Sequence, residues 1–152
     1  MSACEGQKRL AAISLAVFLA SAALAGGVAA QDFPRQGYEG APNGLAAPFA
    51  GQWGMKFPEP EGTIVSATIV ACENPIEITA LDETHIAYAS PGREPFPFEV
   101  LAFEDRTTWY TDTAETYIAV WLDPDNFHLH TTQMGRANWT DPRLYFRCDA
   151  GR

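Results

Sequence analysis

The sequence predicts an all-β fold, a small antiparallel up-and-down barrel of about eight strands. Three observations predict it. Short apolar or alternating runs follow one another, with clusters of Pro, Gly, Asn and Asp between them. No stretch keeps a 3.6-residue apolar period over three turns, so helix is confined to a single turn over 135–139. Two cysteines, Cys72 and Cys148, fall at an early and at the last strand, where a staple fits a closed β structure.

The fold does not begin at Met1. Residues 1–30 carry Lys8-Arg9, then an apolar run from Leu10 to Leu24, then Ala25-Gly26-Gly27-Val28-Ala29-Ala30. A basic stretch, an apolar stretch and small residues at −3 and −1 predict a secretory signal peptide. Cleavage is expected after Ala30, with Ala25 the second choice. The apolar run is too rich in Ala and Gly for a strong membrane span. No other run approaches membrane length, so no membrane span is expected after cleavage. The expected compartment is periplasmic or secreted.

The full chain carries a net charge of −9 and a pI near 4.6. Losing Lys8, Arg9 and Glu5 leaves 8 basic and 18 acidic side chains on 31–152, a charge of −10. Such a surface does not condense on a phosphate backbone, so no nucleic-acid partner is expected. Cys4 leaves with the signal peptide. Cys72 and Cys148 remain as an even pair in an oxidising compartment, which predicts one disulfide. A loop of 76 residues closed in this way is worth roughly 4.5 kcal/mol in the chain-entropy model.

Residues 31–48 hold Pro34, Gly37, Gly40, Pro42, Gly44 and Pro48 without periodicity and predict a flexible leader. A single β-barrel domain is expected over 49–152. Its strands are expected over 52–57, 63–72, 76–81, 85–89, 96–103, 107–111, 116–122, 127–132 and 143–148. The clearest hairpin flanks Asp123-Pro124-Asp125-Asn126. A four-residue turn there pairs Leu122 with Phe127 and Trp121 with His128. One face then holds Ile118, Val120, Leu122, Phe127 and Leu129, the expected core. The other holds Tyr117, Ala119, Trp121, His128 and His130. That amphipathic face either lines a cavity mouth or covers the outside of the sheet.

Three short segments resemble the lipocalins and related calycin-type proteins. Gly51-Gln52-Trp53 is similar to the G-x-W that opens their barrel. Thr111-Asp112, ahead of Tyr117-Ile118-Ala119-Val120-Trp121, is similar to their T-D-Y segment, with Thr113 where Tyr stands in the family. Arg147 falls in the last strand, where the family has an Arg that packs across the G-x-W tryptophan. The resemblance implies a structural pair, Trp53 and Arg147, that plugs the closed end by a cation–π contact. Small secreted bacterial inhibitors of metalloproteases also resemble this plan.

Candidate chemistry is sparse. His128-Leu129-His130 puts two imidazoles on one strand face, half of a metal site. His85 is the remaining histidine, so His85, His128 and His130 are the metal candidates. Ser66 and Ser90 are the serines of 31–152, and neither lies in G-x-S-x-G. No phosphate-cradling glycine loop is present, and no catalytic residue stands out. Arg136, Arg143 and Arg147 gather near Trp139 and Tyr145, as an Arg–aromatic plug or as an anion clamp. The sequence therefore predicts a cofactor-free binding protein rather than an enzyme. Its ligand is expected to be a small, partly apolar molecule held by Trp109, Tyr117 and Trp121, with His128 and His130 as polar handles. The first alternative is a protein-interaction module, such as a periplasmic protease inhibitor acting through the leader. The second is a His-based metalloenzyme.

Overall fold

A computed structural model describes residues 33–58, 68–112 and 115–148. The expected signal peptide lies outside them, as do 63–67 of the expected second strand. The strands are β1 (Gly51–Lys56), β2 (Thr68–Val70), β3 (Ile76–Ala80), β4 (His85–Ala89) and β5 (Phe96–Phe103). They continue with β6 (Arg106–Tyr110), β7 (Tyr117–Asp123), β8 (Asn126–Gln133), β9 (Arg136–Ala137) and β10 (Arg143–Arg147). All pairings are antiparallel. Eight strands close a barrel in the order β1-β3-β4-β5-β6-β7-β8-β10, because β10 pairs with both β8 and β1. β2 adds to β1, and β9 adds to β8. The helix is a 3₁₀ turn over Ala47–Phe49, ahead of β1, and not at 135–139, where the two residues of β9 stand instead.

Alternation sends one face of each strand inward. Trp53, Ile76, Ile78, Ile86, Val100, Trp109, Trp121, Phe127 and Tyr145 are buried there. Burying each such side chain contributes about 1.5–3 kcal/mol. The interior is aromatic: Phe49 stands 4.6 Å from Trp121, and Phe127 stacks on Tyr145 at 4.7 Å with planes 9° apart.

The β7–β8 hairpin corrects the expected register. Trp121 pairs with Phe127, Val120 with His128, and Asp123 with Asn126. The register shifts between Trp121 and Asp123, so the turn proper is Pro124-Asp125. The Asp123 carboxylate accepts from the Asp125 N–H at 2.8 Å and from the Asn126 amide at 2.9 Å, which shapes that turn. A one-residue slip moves every side chain on one strand to the opposite face relative to its partner. Tyr117, Ala119 and Trp121 now share the inside with Phe127 and Leu129, and His128 and His130 go outside.

Residues 33–50, expected mostly as flexible leader, are held against the barrel. The Gly37 N–H donates to the Asp105 carbonyl, Tyr38 to Trp121 and Ala46 to Glu83. These acceptors lie in or beside the β5–β6, β7–β8 and β3–β4 turns, all at one barrel end. Gly44 has φ +74°, and a Cβ there would stand 2.6 Å from the Ala102 nitrogen. The segment then turns through Ala47–Phe49 and drives Phe49 into the core. The result is a sealed end, opposite the mouth described below.

Cys72 and Cys148 form a disulfide with Cα atoms 5.4 Å apart. Each follows a neighbour of β1, so the bond ties both flanks of the first barrel strand. Among the described residues, no helix is long and apolar enough to cross a membrane.

Candidate functional site

The open end is formed by the ends of β4, β6 and β8 and the starts of β5, β7 and β10. A cavity of about 230 Å³ lies there. Phe98, Trp109, Leu129 and Tyr145 give it apolar walls, and Tyr88, Ser90, Tyr117 and Arg143 supply polar groups. A second cavity of about 210 Å³ shares Tyr88, Phe98 and Tyr117 and adds Phe96, Thr111 and Glu115. The two make one aromatic mouth.

Its hydrogen bonding is partly filled. The Tyr88 and Tyr145 hydroxyls meet at 3.1 Å. The Tyr117 hydroxyl donates to the Glu115 carboxylate at 2.8 Å. Burial first, then Glu115, pushes the Tyr117 phenol up to about 12. Burial, reinforced by Tyr88, holds the Tyr145 phenol well above its usual value. Both therefore stay protonated at neutral pH. Trp109 Nε1 is buried without a partner. A buried orphan donor costs about 1–3 kcal/mol.

The expected ligand residues separate into three places. Trp109 and Tyr117 line the mouth. Trp121 lies deeper, packed on Phe49 and Phe127 near the sealed end. His128 and His130 are on the outer barrel surface, so they are not handles for a molecule in the mouth. Phe33 covers His128 at 5.5 Å, and Trp139 covers His130 at 4.7 Å. His130 Nδ1 lies 3.0 Å from the Asn138 carbonyl. His130 Nε2 and His128 Nδ1 are buried without partners. Burial, then the neighbouring His130, pushes His128 down to about 4. Burial also lowers His130, against the pull of the Asn138 carbonyl.

His85 sits on β4 and meets the Asp82 carboxylate at 2.9 Å on the surface. Among the described residues, no three His, Cys, Asp or Glu side chains gather where they could hold a metal. The three histidines are thus not assembled into one centre.

Arg147 and Trp53 meet at the sealed end, with Cζ 4.3 Å from the ring centroid. Arg136 falls on β9, away from Arg143 on β10. Sequence reasoning missed Tyr88 and Phe98, and it offered Arg143 and Tyr145 as an anion clamp without placing them in the mouth. Alternation within β4 and β10 was the available signal, because it places Ile86 with Tyr88, and Arg143 with Tyr145, on one face. No family model matches the chain, and no curated protein and no solved structure matches it either.

Proposed function

We propose that the chain is an exported, lipocalin-like binding protein that holds a small, partly apolar molecule in the open mouth and performs no chemistry on it. One observation carries the reading: a partly polar cavity walled by Phe98, Trp109, Leu129 and Tyr145 opens at the unsealed end of a closed barrel. Its volume lies below the ~300 Å³ at which ligand pockets usually begin, so the molecule is small or extends into the adjoining cavity. The Cys72–Cys148 disulfide supports an oxidising compartment, periplasmic or extracellular. The likeness to lipocalins rests on the G-x-W strand, the Arg147–Trp53 contact and the eight-strand meander. The mouth is better supported than a protein interaction through the leader, because 37–50 is engaged in the sealed end.

Fluorescence of the neutral probe N-phenylnaphthylamine tests the reading. The native protein is expected to enhance it at one saturable site. Ser90→Trp, placed at the rim, is expected to abolish the enhancement while the circular dichroism spectrum is kept. Absence of enhancement, or enhancement that survives the plug, would overturn the proposal. Mass spectrometry of the exported protein is expected to show an N-terminus at Gln31.

A further inference from the structure

Among the described residues, the mouth holds one cation, Arg143, together with hydroxyls that can donate or accept. Arg143 opposes Leu129 across the β10–β8 ladder, so both side chains face the interior. Its guanidinium brings five donors and no acceptor, and one side of it meets the Tyr145 hydroxyl. Arg147 is paired with Asp125 at 3.2 Å, and Arg106 with Glu104 at 2.8 Å. No carboxylate pairs with Arg143 among the described residues. The Tyr88–Tyr145 pair uses one phenol proton and leaves the other to donate elsewhere. Among the described residues, the carboxylate lining the mouth is Glu115, in the adjoining cavity, and it already accepts from Tyr117.

We propose that the mouth selects organic anions: a carboxylate or similar oxyanion held by Arg143 and a phenol proton, with an apolar body against Phe98 and Trp109. The inference rests on the mouth being a ligand site. An ionised carboxylate is acceptor-only and matches the planar guanidinium fork. A neutral amide of the same shape offers the guanidinium one acceptor oxygen and no charge, so it meets only half of the fork. The charge of −10 on 31–152 gives anions no general attraction, so the preference must come from Arg143 itself.

The test uses matched acid and amide pairs, trans-cinnamate with trans-cinnamamide and 2-naphthoate with 2-naphthamide, displacing N-phenylnaphthylamine from the native protein. Each acid is expected to bind at least tenfold tighter than its amide. Its affinity should weaken as salt rises from 20 to 500 mM, while the amide's stays constant. Arg143→Gln is expected to weaken the acids tenfold or more and leave the amides within twofold, and Arg143→Lys to restore part of the difference. The salt series needs no variant, so it decides even if Arg143→Gln fails to fold. Equal binding of acid and amide, or acids indifferent to salt and to Arg143→Gln, would overturn the anion inference while the probe's binding upheld the mouth. Failure of the probe itself to bind would overturn both.

Discussion

Arg147 lies over the Trp53 ring and at the same time reaches two carbonyls of the segment before β1. Its Cζ is 4.3 Å from the ring centroid, and its guanidinium donates to Pro48 at 2.8 Å and Ala50 at 3.0 Å. Trp53 Nε1–H donates to the Phe49 carbonyl at 2.7 Å, so both side chains hold the same 3₁₀ turn. Gly51 leaves room for this, since a Cβ there would stand 2.8 Å from the Arg147 guanidinium. Arg147→Ala is expected to cost about 2–3 kcal/mol in urea unfolding, from one cation–π contact and two lost hydrogen bonds. Arg147→Lys should recover less than half, because an ammonium cannot fork to both carbonyls. Equal stability of the Lys variant and the native protein would show that charge alone matters.

Removing the disulfide should weaken the barrel without changing its shape. The double variant Cys72→Ala/Cys148→Ala is expected to lose up to the roughly 4.5 kcal/mol of the chain-entropy model. Calorimetry should show a lower Tm, and circular dichroism at 20 °C an unchanged spectrum. Adding dithiothreitol to the native protein should lower its Tm by the same amount.

Acid should destabilise the fold through His128. Its folded value is about 4, against 6.5 for an ordinary histidine. Above pH 6.5 the imidazole is neutral folded or unfolded, and its contribution is complete. Between pH 6.5 and 4 the unfolded chain takes up a proton that the folded chain refuses, so stability falls. Below pH 4 this group adds no further loss. The window is worth about 3 kcal/mol. Urea midpoints from pH 7.5 to 4 should show a steeper decline in the native protein than in His128→Leu. Parallel curves would assign the acid sensitivity to other groups.

The sealed end gives a local prediction. Gly44→Val must place a branched side chain at φ +74° against the Ala102 backbone. A strain of about 1–3 kcal/mol is expected to lift residues 33–46 before the barrel unfolds. Limited trypsin digestion should then cut after Arg35 much faster than in the native protein. Digestion at the native rate would mean that the segment stays seated.

Much of the barrel was legible because strand alternation and turn residues are local signals. Phe96–Phe103 emerged with the expected bounds, and 85–89 matched β4. The cysteine pairing followed from compartment and count. The inside face of β7 was not legible. A period of two fixes which residues share a face, but the irregularity between Trp121 and Asp123 changes which faces of two strands agree. The contacts of the leader were not legible for a related reason. Its Gly and Pro residues resemble those of a tail, while its anchors are backbone bonds to Glu83, Asp105 and Trp121, far along the chain. The mouth needed the closed barrel before Tyr88, Tyr117 and Arg143 could be seen to converge.

The pairing of β1 with β10 also governs how this chain must fold. Trp53 lies opposite Arg147, and the guanidinium of Arg147 bonds to residues 97 and 99 positions earlier. The strand that is made first waits for the one that is made last. Loop-closure entropy must be met in full before these contacts form. Acquisition of the native barrel is therefore expected on the millisecond-to-second scale of high-contact-order domains, with closure of the seam as the slow step. Until then the edges of the first and last strands remain unpaired, and that interval is when the chain is most exposed to association with its own copies.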